Sequence, residues 1–226
     1  MEVAHPNQLG DIYDRILRRS FPPQELADRG SFLNFVTWGE VLVEHDGEVV
    51  KAAAVGDYSS DTDLLLLEYL AVLPEYRGKG SGSKLFKAAV ARWRELMHPG
   101  AFLAEIERPD GHAFSPEYGD PARRLKFYQK LGMSALALPY YQPAMSGDLP
   151  AVPDLLLGVL VEDEAWADGN RFLEGDRLAA LLHGRNPDPT DAERPAWDAL
   201  LAACRGPIEM VPLADYARVP RSGPIG

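Results

Sequence analysis

The spacing of apolar positions along the chain predicts helices first and then strands alternating with helices. Leu9, Ile12, Tyr13, Ile16 and Leu17 recur at helical intervals and predict a first helix over 8–20. Phe21-Pro22-Pro23 ends it, and a second short helix is expected over 23–28. Runs at 41–44 and 49–54 flank His45-Asp46-Gly47-Glu48, a hairpin signal of the Asp-Gly type. The polar stretch 57–63 reads as a turn. Leu64–Val72 is almost wholly apolar, which suits a central strand covered on both faces. Leu85, Phe86, Ala89, Val90, Trp93 and Leu96 then fall on one helical stripe that stops at His98-Pro99-Gly100. Residues 101–106 predict another strand, with a turn at 109–111. Asp120-Pro121 offers an N-cap followed by a proline at the first helical position, and Gly132 closes that helix. Residues 133–138 and 155–161 read as two final strands. This order predicts an α/β fold in layers, with helices flanking a mixed sheet.

After Val161 the texture changes. Residues 162–189 are acidic, a short helix fits 173–183, and Thr190 with Glu193 forms a capping box for a helix running towards Cys204. The tail 205–226 has four prolines and little helical pattern. The expected division is a main domain over 1–161 and a small helical C-terminal annex over 162–226. The annex could cover an acceptor site, form a homodimer contact or pack on the sheet.

The strand at Leu64–Val72 leads through Leu73-Pro74-Glu75-Tyr76 into Arg77-Gly78-Lys79-Gly80-Ser81-Gly82-Ser83, and a helix follows at once. Such a junction cradles phosphate. Successive backbone N–H groups converge, glycines permit close approach, and the helix end adds partial positive charge. Arg77 and Lys79 add two full charges. Counting excludes two common phosphate loops. A P-loop begun at Gly78 would need glycine where Ser83 stands, and a dinucleotide fingerprint begun at Gly78 or Gly80 ends on Ser83 or Leu85. Arg77-x-x-Gly80-x-Gly82, behind Val72-Leu73-Pro74, resembles instead the loop of the GNAT superfamily of acyl-coenzyme A N-acyltransferases, and the order of elements over 8–161 agrees with it.

That resemblance implies a three-layer GNAT-like fold and acetyl-CoA as co-substrate. It places the cofactor against Leu70, Val72, Arg77, Gly78, Lys79, Gly80, Ser81, Gly82 and Ser83, with a bulged, splayed strand near Leu70–Val72 offering backbone N–H groups to the thioester oxygen. Glu68 is a charge inside an apolar strand. It is either a proton acceptor facing a cleft or a partner of an arginine at a sheet edge. Glu105 and Glu107 share one face of the next strand by period-two alternation and could line the same opening, while Glu107 could equally be a solvent-facing strand end beside Arg108. His112 is a further candidate base in a loop. Tyr128 sits in Phe127-Tyr128-Gln129-Lys130-Leu131-Gly132-Met133. Helical spacing makes it a core residue, whereas the resemblance makes it the group that faces the leaving thiolate.

Composition narrows the rest. Apolar residues make up 46% and charged residues 25%, the balance of a globular protein, and no apolar run is long enough to span a membrane. The net charge of −11 argues against a nucleic-acid partner and would attract a cationic amine. The opening MEVAHPNQLGDIYDR shows no signal-peptide pattern, and the single cysteine, Cys204, forms no internal disulfide and no metal cluster, so a cytoplasmic, metal-free protein is expected. Two functions fit: an N-acetyltransferase passing acetyl from acetyl-CoA directly to an amine, or a module that binds acetyl-CoA without turnover. The acceptor, a small amine or a protein amine, would be read by loops at 20–40, 110–120 and 138–154.

Overall fold

A computed structural model describes residues 1–35 (without the Phe35 side chain), 40–145, 149–162, 172–186 and 188–225; parts of the expected acceptor loops, at 36–39 and 146–148, and of the acidic stretch, at 163–171 and 187, lie outside the described residues. Its frame is one mixed sheet in the order β1-β2-β3-β4-β5-β7-β6-β9-β8. β2 (Glu40–Asp46), β3 (Val49–Ser59) and β4 (Leu64–Val72) form an antiparallel meander, with β1 (Glu2–Val3) at its edge. β4 runs parallel to β5 (Ala101–Glu107), reached through the crossover helix α3 (Ser81–Met97). β7 (Leu155–Val161) lies antiparallel to β5 along its whole length, and β6 (Ser134–Leu136) follows.

Helices cover both faces. On one, Leu85, Phe86, Ala89, Val90 and Trp93 of α3 and Leu125 and Tyr128 of α4 (Pro121–Lys130) are buried against alternate residues of β3, β4 and β5. Asp120 caps α4, accepting from the Ala122 N–H at 2.9 Å. The other face is shared by α1 (Leu9–Arg15) and α2 (Arg29–Phe35) at one end, and by α5 (Gly175–Arg185) and α6 (Arg194–Ala203) at the other. This is the expected layered arrangement.

Several local expectations are revised. The first helix stops at Arg15, and a tighter turn over 17–19 sends both Ile16 and Leu17 into the core. Residues 23–25 form one 3₁₀ turn only. Asp28 then accepts from the N–H groups of Gly30 and Ser31, so the helix begins after this cap. β3 continues through Ser59, where the polar side chains of 57–59 suggested a turn.

The C-terminal segment is built into the sheet. β9 (Pro207–Pro212) pairs with β6, and β8 (Phe172–Glu174) pairs with β9. The capping box forms: Thr190 and Glu193 exchange backbone-to-side-chain bonds, and Glu193 also accepts from the Ala144 N–H at 3.1 Å. Cys204 is buried, and its apolar surroundings push the thiol up to about 11. Arg108, 1% exposed, fixes the tail by donating to the carbonyls of Tyr216, Val219 and Pro220 and pairing with Asp110. Replacing Arg108 by Met leaves those carbonyls without their donor. We expect Arg108→Met to lower the unfolding free energy by about 3 kcal/mol in urea denaturation, and an unchanged midpoint would show that the tail is held by other means.

Candidate active site

The site begins where two central strands part. β4 and β5 pair from Leu64/Ala101 to Leu67/Ala104. At the next residue the register with β3 slips: Gly56 faces Leu67 and Val55 faces Tyr69, which leaves Glu68 as a bulge. A bulge breaks alternation, so Glu68 and Tyr69 both project towards the face carrying α5 and α1. The Leu73 N–H donates to Lys51 O on β3 at 2.9 Å. Alternation then turns the backbone groups of Leu70 and Val72 the other way, into the fork. The Val72 carbonyl accepts there from Arg77 Nε at 2.9 Å.

A cavity of about 580 Å³ fills the fork. Of the residues singled out from sequence, Glu68, Leu70, Val72, Arg77, Gly78, Gly80, Ser81, Gly82, Ser83, Glu105 and Tyr128 all line it. Lys79 does not. Its ammonium donates to Glu75 O at 3.4 Å and lies over the Tyr76 ring, so it contributes only its place in the loop. Gly80 is the N-cap of α3 at φ +85°, and no atom lies within 4 Å of where its Cβ would be. The loop is thus left-handed and open on its cavity side, as a pyrophosphate cradle requires. Arg77 braces the loop to the strand end and also reaches Ser20 Oγ at 3.4 Å.

Carboxylates crowd the fork, and Glu68, Glu105 and Glu107 each have a partner from another element. Glu68 pairs with Arg185 at the end of α5, and the same guanidinium reaches Asp57 Oδ2 on β3 at 2.7 Å. Glu68 therefore does have an arginine partner, but at the sheet's centre. Burial raises Glu68 to about 7, helped by Glu105 and Asp57 and opposed by Arg185. Glu105 accepts from the Tyr140 hydroxyl at 2.6 Å; burial raises its carboxyl, while that bond and Arg185 pull it down. Glu107 pairs with Arg124 of α4. Glu25, which sequence reasoning passed over, also lines the cavity, and burial together with Glu107 lifts it to about 7.

A second cavity of about 410 Å³ opens on the α5–α6 side and shares Glu68, Glu105 and Gln142 with the first. Its walls include Phe32, Tyr69, Tyr140, Leu182, Arg185 and Trp197. Tyr128, packed edge-on against Phe86 and Phe127, is both a core residue and part of the first cavity's wall, and burial pushes its phenol up to about 12. His112 lines neither cavity and contacts Pro153 O at 3.1 Å. Arg185 and Tyr140 carry no local signal: the first reads as a helix end, the second as part of an aromatic pair after a strand. Among the described residues, no group of three or more His, Cys, Asp or Glu could hold a metal ion, and no helix is long and apolar enough to cross a membrane.

Residues 37–132 match a family model described as the acetyltransferase (GNAT) domain. No curated protein matches the chain. Among solved structures it is similar to a protein of Bacteroides thetaiotaomicron assigned to the GNAT family, at 21% identity and TM-score 0.56 over 80% of this chain and 94% of that one. It is also similar to the ribosomal-protein-S18-alanine N-acetyltransferase of Escherichia coli (16% identity, TM-score 0.51, over 72% and 92%). A third is yncA of Salmonella typhimurium with its cofactor acetyl-CoA (19%, TM-score 0.51, over 74% and 95%). These likenesses show the fold, and the unmatched surplus lies in this chain.

The cradle makes a direct prediction. The Cβ of Gly82→Ala would sit 3.5 Å from Phe127 and 3.6 Å from Val72, an ordinary contact that spares the fold but narrows the cavity between two of its lining residues. Gly80→Val adds the strain of a left-handed position. Both variants should bind acetyl-CoA about tenfold or more weakly by calorimetry, and full affinity in both would remove the cradle.

Proposed function

We propose that the chain is a GNAT-type acetyltransferase, the family whose domain model matches residues 37–132, and that it passes the acetyl group of acetyl-CoA directly to the nitrogen of an amine. The observation that carries the proposal is the fork itself. One cavity joins the glycine loop to a cluster of carboxylates that includes Glu68 and Glu105, to inward-turned amides and to a buried phenol.

Acetyl-CoA supplies an activated acyl group on a thiol that can leave. The loop from Arg77 to Ser83, with the start of α3, would hold the pyrophosphate, and binding energy gained there orients the distant carbonyl. The N–H groups of Leu70 and Val72 face the place where negative charge grows on the carbonyl oxygen. The acceptor must attack as a neutral amine. As the C–N bond forms and the C–S bond breaks, the nitrogen gives up a proton, and Glu68 or Glu105 is placed to take it, directly or through water. A carboxylate held near 7 is matched to that task at neutral pH.

Tyr128 serves the leaving side. A thiol has an ordinary pKa of about 8.5, well below a phenol held at about 12, so full proton transfer to the thiolate runs uphill. Tyr128 acts instead as a fixed hydrogen-bond donor to the sulfur as charge develops, and the thiolate takes its proton from solvent afterwards. The acidic lining and the aromatic second cavity favour an amine on a partly apolar body, admitted from the α5–α6 side. The setting is soluble, and the partner is this amine, with neither nucleic acid nor membrane.

Coenzyme A release against a broad amine panel tests the proposal. Tyr128→Phe should reduce turnover by roughly 10²-fold with acetyl-CoA affinity unchanged; wild-type turnover would return Tyr128 to packing alone. Ionisation of Glu68 rises as pH passes 7, so turnover should climb through that region. Glu68→Gln should flatten the climb and recover partly at higher pH, where more amine is already neutral. Glu105→Gln serves as the parallel variant, and wild-type profiles in both would exclude the two carboxylates as acceptors. If no amine releases coenzyme A with the wild type, the chain is better read as an acetyl-CoA-binding module.

A further inference from the structure

We infer that Arg185, from the C-terminal segment, is a positioning residue of the transfer site: it orients the Glu68 carboxylate and keeps it ionisable at the fork. The inference rests on the acetyl-transfer reading for its consequence in turnover, but not for its geometry.

Arg185 is the last residue of α5, outside the span that matches the family model. A helix-end arginine ordinarily reaches into solvent. This one reaches back over the sheet and divides its guanidinium, Nη2 to Glu68 and Nη1 to Asp57 at 2.7 Å. One rigid guanidinium, anchored by its hydrogen bond to Asp57 and in ion-pair contact with Glu68 on the neighbouring strand, sets where the Glu68 carboxylate sits. β3 and β4 are out of register at this point, so the bulge aims Glu68 at the position Arg185 occupies.

Charge makes the same case. Among the described residues, the titratable and charged groups facing Glu68 are Asp57 from β3, Tyr69 beside it on β4, Glu105 from β5, Tyr140 from the segment after β6, and Arg185. Arg185 is the one cation among them. Without it, three carboxylates and two phenols share a poorly solvated fork, and Glu68 would hold its proton at neutral pH. A protonated carboxyl cannot accept a proton from the acceptor amine. The arginine therefore does not block the base; it makes the base available. Its side chain is 32% exposed, so it can be exchanged without opening the core.

The test uses the full chain with Arg185→Met and Arg185→Lys. ¹³C-carboxyl NMR, with Glu68 assigned by its absence in Glu68→Gln, reads the titration of Glu68 itself. The midpoint should rise by at least one unit in Arg185→Met, about tenfold less ionised carboxylate at neutral pH. Arg185→Lys, which keeps the charge but not the planar fork, should fall between. In turnover, the rise with pH should move upward by the same amount, with acetyl-CoA affinity within about twofold of wild type, because Arg185 lines the second cavity and not the cradle. An unmoved Glu68 midpoint overturns the inference, and so does a moved midpoint with an unmoved pH–rate profile in an enzyme that Glu68→Gln impairs. If Glu68→Gln keeps wild-type turnover, the base assignment fails separately, and the NMR titration still decides whether Arg185 governs Glu68.

Discussion

The parting of β4 from β5 is the constraint on which the rest of this molecule depends. A strand edge inside a protein carries N–H and C=O groups that need partners. Here two neighbouring strands give up their mutual bonds in the middle of the sheet. They can do so because each is secured on its other side: β3 holds β4 as far as Val72, and β7 holds β5 from Ala101 to Glu107. Arg77 takes up one of the released carbonyls. The remaining polar groups face a cavity, where a ligand can use them. Glycine at 56 helps on the opposite strand, since a Cβ there would come within 2.7 Å of Trp93 on α3 and push helix and sheet apart beside the bulge.

A fork lined by carboxylates would be unstable if each acid stood alone. The compensating groups all come from elsewhere in the chain: Arg185 from α5, Tyr140 from the segment after β6, Arg124 from α4. Compensation is partial, because burial still outweighs the partners and Glu68 stays raised. Full neutralisation would give a low, inert carboxylate; none would give a permanently protonated one. The intermediate state suits proton transfer near neutral pH, and it makes the C-terminal segment part of the electrostatics of the fork.

Much of this was legible in the sequence. The strand–loop–helix junction from Leu64 to Met97, the Asp120 cap and the period-two placement of Glu105 and Glu107 all follow from local rules, because neighbours in the chain decide them. The bulge at Glu68 was not, since Leu67-Glu68-Tyr69 contains no glycine or proline to mark it; tertiary pairing with β3 decides it. β9 was missed for a related reason. Its prolines sit at the two strand ends, 207 and 212, where a missing N–H matters least, yet in a tail of four prolines they read as irregular chain. Lys79 shows the reverse case: a cation inside a phosphate-loop pattern suggests a ligand contact, and only the fold reveals that its ammonium lies over Tyr76 in this structure. Arg185 lies 117 residues from Glu68 in sequence, and no local pattern joins them.

The two cavities draw on different parts of the chain. The cradle, the fork and Tyr128 lie within 37–132, the span of the family model. The second cavity takes Asp57, Glu68, Tyr69 and Glu105 from that span, but Phe32, Tyr140, Leu182, Arg185 and Trp197 from outside it. Because the cavities share Glu68 and Glu105, under the acetyl-transfer reading donor and acceptor would meet at those two carboxylates, each approaching from its own side. On that same reading the transfer chemistry would reside in the strands and the glycine loop, and the choice of amine in α2, the segment after β6 and the C-terminal helices. Aromatic walls there offer apolar area and ring faces to a cation, and Arg185 limits how much positive charge the site will admit beside it. Under the acetyl-transfer reading, the segment that seemed an appendage in sequence would help to choose the acceptor, because its residues form one wall of the second cavity.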